Sequence, residues 1–116
     1  MEYRRRAPRV TTGWPGRYII EDDPHSGWNE CRVLDISLIG VGLELFGDTD
    51  IDLLGHQLIV HVQTPVGESV SIRLVGRVMN TGRGNEGGTR AGLEFVGLSD
   101  TEQSILKALE LMRVTW

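Results

Sequence analysis

Two groups of polar and charged residues in this sequence have types and spacings that suit ligand binding better than core packing. The first is an arginine cluster in the opening segment MEYRRRAPRV, where Arg4, Arg5 and Arg9 stand among few apolar residues. The second interrupts the apolar stretch RVLDISLIGVGLEL with Asp35 and Ser37. A guanidinium group is a planar fork of hydrogen-bond donors that matches phosphates and guanine edges, and its face stacks on bases. The two groups indicate one ligand site, half in a flexible arm and half on a rigid sheet.

The overall charge limits what that ligand can be. The 116-residue chain has 12 Lys and Arg against 16 Asp and Glu, a formal net charge of −4. Binding of duplex DNA depends on many phosphate contacts and on counterion release, which an acidic chain does not favour. Since the first ten residues nevertheless hold four arginines and a single acid, Glu2, a small anion fits the chain and duplex DNA does not.

The composition also predicts a soluble, cytoplasmic protein. No run approaches the roughly 18 apolar residues of a membrane helix, so we expect no membrane insertion. The opening segment lacks the apolar region and the cleavage site of a secretory signal. The single cysteine, Cys31, cannot form an internal disulfide and is expected to be a small, buried or half-buried hydrophobe.

In the segments that must hold the site, apolar and polar residues alternate with a period of two. Apolar residues alternate with polar ones in HQLIVHVQ, in VSIRLVGRVM and in RAGLEF, which predicts strands with one face in a core. GRYII is expected to be the first strand, beginning after the breaker Trp14-Pro15-Gly16. The three tryptophans fall outside these strand patterns.

The stretch around Asp35 changes phase. Leu34, Ile36 and Leu38 carry the apolar pattern first, and from Ile39 onward the pattern continues in the opposite phase. A slip of one residue turns every side chain to the other face, so the chain must bulge or turn there. We expect two antiparallel strands joined at Leu38-Ile39-Gly40, with Asp35 and Ser37 on the outer face and Gly40 supplying the backbone freedom.

The chain is predicted to end in a helix. Residues 99–102, SDTE, have the spacing of a capping box, and apolar residues follow at helical spacing. The expected fold class is all-β, a small six-stranded antiparallel barrel with the C-terminal helix packed on it. Residues 1–12 form the flexible arginine-rich arm, and residues 13–116 form one domain whose helix starts at about 99.

One glycine-rich stretch and one acidic stretch resemble ligand-binding motifs, but each has a better interpretation. Residues 82–87 match GxGxxG, yet they join two predicted strands, whereas a dinucleotide site needs a strand followed by a helix. A flexible hairpin loop is the better interpretation. Residues 48–52 resemble the start of a calcium loop, but Leu53 and Ile59 stand where its glycine and glutamate belong, so we expect a solvated acidic turn.

The sequence gives little support for catalysis or for a metal. The three histidines lack metal-ligand spacing and a second cysteine, so we expect neither a metal nor a cofactor. Ser37 beside Asp35 has no nucleophile elbow and no neighbouring histidine, so the chain is not expected to be an enzyme.

The two polar groups together resemble a known pair of motifs. Arg5 and Arg9 match RxxxR, and Asp35, Ser37 and Gly40 match DxSxxG, in the order and at the separation typical of the PilZ family. RAGLEF is also similar to the family's late GxxF strand. The resemblance covers nearly the whole chain, and it implies a six-stranded barrel from a bacterium that binds the second messenger cyclic di-GMP and transmits a signal without chemistry of its own.

The motif residues suit that ligand. Arg5 and Arg9 can form forked hydrogen bonds to phosphate or to guanine O6 and N7 while stacking on a base, and Asp35 can accept hydrogen bonds from guanine N1–H and N2–H. Ser37 can donate or accept. Gly40 is expected to let the backbone approach the ligand.

Two functions remain open from the sequence. The first is a cyclic di-GMP receptor that acts through its arm on an unknown downstream protein or adjoining domain, with Arg4 as an additional stacking group. The second is a PilZ-like module that binds another protein without depending on nucleotide. A third alternative, binding of single-stranded nucleic acid, needs aromatic stacking platforms that the strand patterns lack.

Overall fold

The computed structural model describes residues 10–23, 25, 27–47, 52–64 and 70–114. Arg4, Arg5 and Arg9 therefore lie outside the described residues, as do residues 48–51 of the acidic stretch. The elements are β1 (Val10–Ile20), β2 (Asn29–Ile36), β3 (Gly40–Leu45), β4 (Gln57–Thr64), β5 (Val70–Arg83), β6 (Thr89–Gly97) and α1 (Asp100–Val114).

The six strands form a closed barrel in the order β1-β2-β3-β6-β5-β4. Every neighbouring pair is antiparallel, and the pairing of β4 with β1 closes the ring. This confirms the predicted fold class. Closure pairs the strand edges with one another, which removes the exposed edges that invite aggregation.

The barrel interior is filled by the apolar residues that alternate along the strands. The predicted inward faces of β4 and β5 are confirmed, since Leu58, Val60 and Leu74 are each at most 1% exposed. Full burial of an aliphatic side chain of this size contributes about 1.5–3 kcal/mol. Tyr18 is also buried, and its hydroxyl donates to the backbone oxygen of Phe46 at 3.0 Å.

The first strand differs from its prediction, because it runs through Trp14-Pro15-Gly16 instead of starting after it. The pairing of β1 with β2 shifts register between Thr11 and Trp14, and a proline is tolerated next to such a bulge. The ladder with β4 begins only at Gly16, so the N–H that Pro15 lacks is not needed there. The expectation that no tryptophan lies in a strand is wrong, since Trp14 packs against the core from β1.

The helix begins as its capping box predicts. The Glu102 backbone N–H donates to Ser99 Oγ at 3.2 Å, and the Ser99 N–H donates to Glu102 Oε1 at 3.0 Å. Leu106 is buried, and α1 contacts β1 and β5. In the part of the chain that the structure describes, no helix has the length and apolar character that crossing a membrane requires.

The GxGxxG stretch begins at the end of β5 and continues into the connection to β6, which agrees with the hairpin interpretation. Gly84 of this stretch and the adjacent Gly88 lie against a carboxylate of the chain itself. Glu44 is 2% exposed, and its Oε2 accepts hydrogen bonds from the backbone N–H of Glu86 at 2.8 Å and of Gly88 at 2.9 Å. A Cβ on Gly84 would lie 2.5 Å from Glu44 Cδ, so the glycine leaves room for this internal anion.

We predict that Glu44→Ala lowers the free energy of unfolding by about 1–3 kcal/mol, because Glu86 and Gly88 lose the acceptor for their N–H groups. Urea unfolding measures the change. The matched control is Glu30→Ala, an exposed glutamate on β2, which should change the stability by less than about 0.5 kcal/mol. Equal stability of both variants would contradict this role for Glu44.

Candidate functional site

A bulge in β2 directs Asp35 to the outside of the barrel. The pairing of β2 with β3 shifts register between Val33 and Asp35, so that Val33 and Ile36 are both buried while Asp35 is half-buried on the outer side. The predicted turn between two antiparallel strands is confirmed, since β2 ends at Ile36 and β3 begins at Gly40, and the bulge at Leu34 is a second irregularity that the sequence did not predict. The sequence pattern hid this bulge because Leu34 is apolar although it is not in the core.

The sequence pattern predicts Ser37 on the outer face. In the structure this residue is instead buried, at 6% exposure. Its Oγ accepts hydrogen bonds from the backbone N–H groups of Ile39 and Gly40, both at 3.2 Å, and donates to the Gly40 oxygen at 3.3 Å. These bonds hold the turn between β2 and β3. The hydroxyl uses its one donor and two acceptor sites there.

Gly40 also has a structural task. Its φ is not in the positive range, so the expected backbone freedom is not used. A Cβ at this position would collide with the backbone oxygen of Leu93 on β6. The neighbouring turn is tied to the same strand, since the Phe95 N–H donates to the Ile39 oxygen at 2.9 Å. Gly40 thus permits the close approach of β6 to the turn.

Asp35 lies over a position of β3 that carries no side chain. In register, Asp35 on β2 pairs with Gly42 on β3, and Gly42 pairs with Gly92 on β6. Asp35 Oδ1 lies 3.0 Å from the point that a Cβ of Gly42 would occupy. We call Gly42 and Gly92 the glycine floor.

A second polar side chain borders the glycine floor on its far side. Asn80 on β5 pairs with Gly92, and its Oδ1 lies 2.8 Å from the point that a Cβ of Gly92 would occupy. Asn80 also follows a register shift, between Val78 and Asn80. Sequence reasoning missed this residue. The available signal was the glycine at an outward position inside each of β3 and β6, which often marks a close approach to the sheet.

The start of β1 lies at the same end of β2. Val10 pairs with Ile36 and Thr11 pairs with Asp35, so the chain enters the barrel beside Asp35. The expectation that Arg4, Arg5 and Arg9 share a site with Asp35 concerns residues outside the described part. The register places Val10 and Thr11, which follow RxxxR in sequence, beside the DxSxxG motif at one edge of the outer face.

The outer face of β1, β2 and β4 holds a separate groove of about 720 Å³, which Gly16, Arg17 and Arg32 help to line. Its charges are of both signs. Arg17 pairs in register with Glu30, and Arg32 Nη1 lies 3.6 Å from Glu86 Oε1.

Two titratable side chains outside the candidate site, Asp22 and Cys31, have pKa values that their surroundings shift. His56 Nδ1 lies 2.9 Å from Asp22 Oδ1, and this hydrogen bond holds the pKa of Asp22 below its usual range. Burial raises the pKa of Cys31 to about 12, so its thiol stays protonated and unreactive at neutral pH. Among the described residues, no three His, Cys, Asp or Glu side chains are grouped so as to hold a metal ion.

Comparison with known proteins assigns this architecture to a family. A family model described as PilZ domain matches residues 3–110 of the chain. None of the curated proteins matches the chain in sequence.

Solved structures with the same fold include the following three. The Bacillus subtilis inhibitor of motility MotI/DgrA has a TM-score of 0.78 and 15% identity, with 98% of this chain and 53% of that chain covered. The PilZ domain of YcgR from Escherichia coli, solved with c-di-GMP, has a TM-score of 0.70 and 18% identity, with 96% and 95% covered. The K. pneumonia MrkH complex with c-di-GMP has a TM-score of 0.66 and 16% identity, with 98% and 54% covered. This chain therefore spans about half the length of the MotI/DgrA and MrkH chains.

We predict that Ser37→Ala lowers the free energy of unfolding by about 1–3 kcal/mol, because the N–H groups of Ile39 and Gly40 lose their acceptor in the turn. Chemical denaturation without any ligand measures this. The control is Ser71→Ala, which removes an exposed hydroxyl that donates to Gln63 Oε1 at 3.0 Å and should cost less than about 0.5 kcal/mol. Unchanged stability of Ser37→Ala would show that the hydroxyl does not hold the turn.

Proposed function

Because the chain belongs to the PilZ domain family, we propose that it is a receptor for cyclic di-GMP that signals through its N-terminal arm. The observation that carries this proposal is the register of β1 against β2. It brings the strand that follows RxxxR directly beside Asp35, the first residue of DxSxxG. The two motifs, separated in sequence, can therefore act on one ligand.

The chemistry of the two motifs matches the ligand. Cyclic di-GMP carries two phosphates and two guanines, and Arg5 and Arg9 supply forked donors for the phosphates and for guanine O6 and N7. Asp35 is a half-buried carboxylate on the outer face and can accept from guanine N1–H and N2–H. Two of the similar structures, from YcgR and MrkH, were solved with c-di-GMP, which supports the choice of ligand.

The proposed signal is an ordering of the arm by the ligand. Arg4, Arg5, Arg6 and Arg9 repel one another, and the arm has few apolar residues whose burial would offset the loss of chain entropy. Two phosphates and two guanine edges provide partners for these charges. A downstream protein or an adjoining domain can then respond to the new position of the arm.

Arg4 leads us to propose two ligand molecules in each site. It stands immediately before RxxxR and offers one more guanidinium face for stacking on a base. Two mutually intercalated molecules present more guanine surface to such faces than one molecule does.

We predict that Arg5→Ala or Arg9→Ala weakens the binding of cyclic di-GMP by about 2 kcal/mol or more, because each removes a charge-assisted contact. Isothermal titration calorimetry measures the affinity, with GTP and cyclic AMP as ligands that should not bind. Arg73→Ala, an exposed arginine on β5, is the control and should bind as the wild type does. Wild-type affinity of both arm variants would refute the proposed site.

We predict that cyclic di-GMP slows amide hydrogen exchange in residues 4–9, because the arm becomes ordered over the ligand. Amides of the barrel core, such as that of Leu43, serve as the internal reference and should not change. Protection of residues 4–9 in the ligand-free chain, with no further change on binding, would exclude the switch even if binding is confirmed. The same titrations should give about two ligands per chain, and a value near one would exclude the intercalated pair.

A further inference from the structure

We propose that the groove on the outer face of β1, β2 and β4 binds an acidic peptide segment of a partner protein. Arg17 in the groove and Arg73 beside it supply the cationic contacts, and Trp28 supplies the apolar one. Asp35 is not among the residues that line this groove, so the surface is separate from the proposed nucleotide site. The inference therefore goes beyond the proposed function and does not depend on it.

The shape of the groove suits an extended segment. Its floor is β1, where Gly13 and Pro15 carry no long side chain, and its walls are the neighbouring strands β2 and β4. The volume of about 720 Å³ lies within the range of about 300–1,000 Å³ that is typical of ligand sites in proteins. Because the strands of the closed barrel are already paired with one another, side chains must hold the bound segment, which cannot add as a further strand.

A row of basic side chains crosses the outer surface at the groove. Arg17 on β1 pairs in register with His61 on β4, and His61 pairs with Arg73 on β5. All three are exposed, and two strand spacings separate the arginines by about 10 Å. In the part of the chain that the structure describes, no carboxylate lies within 4.0 Å of either guanidinium group. Both arginines can therefore form forked hydrogen bonds to carboxylates of a partner.

Trp28 adds an aromatic group next to this row. It stands immediately before β2 and is 45% exposed. Its ring centroid lies 4.7 Å from that of His61 on the far side of β1, with 38° between the ring planes. This contact holds the indole in place while much of its surface faces solvent. Tryptophan and arginine are enriched among the residues that carry most of the binding energy at protein interfaces, so the combination is typical of a docking surface.

The acidic side chains of the same surface favour a peptide over a nucleic acid. Glu30 lines the groove beside Arg17, and the Glu86 carboxylate lies 3.6 Å from Arg32. The phosphate backbone of a nucleic acid carries a negative charge at every nucleotide, so it would be repelled by both carboxylates. A peptide can place a neutral or basic residue near Glu30 and its own carboxylates at Arg17 and Arg73.

The test is fluorescence anisotropy of the full chain with a fluorescein-labelled peptide of alternating glutamate and glycine around one central leucine. A matched peptide has glutamine in place of each glutamate. We expect the glutamate peptide to bind at least about fivefold more tightly, because its carboxylates pair with guanidinium groups. Added salt should weaken its binding, since salt screens exposed charges.

Variants of the chain locate the bound peptide. Arg17→Ala and Arg73→Ala should each weaken binding of the glutamate peptide by about threefold or more, because each removes a cationic contact. Trp28→Ala should weaken it by about tenfold, because the aromatic contact is lost. The matched controls are two exposed residues further along β5, Arg77→Ala and Met79→Ala, which should bind within about twofold of the wild type.

Three results would overturn the proposal. The first is equal binding of the two peptides, or binding of neither. The second is a loss confined to the arm variants Arg5→Ala and Arg9→Ala, with Arg17→Ala and Arg73→Ala unchanged, because the peptide would then bind the arm. The third is tighter binding of a labelled single-stranded oligothymidylate that the same groove variants abolish, because the groove would then bind nucleic acid.

The outcomes for this surface and for the proposed function are distinguishable. A chain that does not bind cyclic di-GMP but binds the glutamate peptide through Arg17 and Arg73 overturns the receptor function and supports the docking surface. The reverse result overturns the docking surface and supports the receptor. Should Trp28→Ala fail to fold in a thermal melt, the two arginine variants alone decide.

Discussion

The strict alternation of inward and outward side chains around a closed barrel is the constraint on which the rest of this structure depends. Because the six strands close on themselves, a change of register must be absorbed within a strand, as a bulge. The register shifts beside Asp35 and Asn80 do this without disturbing the buried residues Val33 and Val78. The barrel thereby keeps an apolar interior and still directs two polar side chains to one outer surface.

The sequence predicted the features that depend on local patterns. The period-two strands, the capping box at Ser99 and the hairpin at residues 82–87 all follow from spacing alone, and the structure has each of them. What the sequence did not predict depends on contacts between distant residues. The run of β1 through Pro15 is understandable only from the two ladders beside it, and the approach of Asn80 to Gly92 only from the pairing of β5 with β6.

The glycine-rich stretch at residues 82–87 also shows that a sequence pattern does not predict contacts between distant residues. The stretch at residues 82–87 fits a phosphate-binding fingerprint, yet the backbone N–H groups of Glu86 and of the adjacent Gly88 bind the buried carboxylate of Glu44. The physical preference of clustered N–H groups for an anion is real, and only the source of the anion differs. A motif thus specifies a kind of interaction, while the fold decides which partner supplies the other half.

The residues of the DxSxxG motif also have different roles in the fold. Ser37 and Gly40 hold the turn and admit β6, so their presence is required by the barrel whether or not a nucleotide binds. Asp35 is different, because its half-buried carboxylate is on the outer side and is not among the groups that Ser37 binds in the turn. A barrel of this kind can therefore retain the serine and glycine for stability alone. Under the proposed function, the groups that recognise the ligand are then the Asp35 carboxylate, which accepts hydrogen bonds, and the arginines of the arm, which supply forked donors.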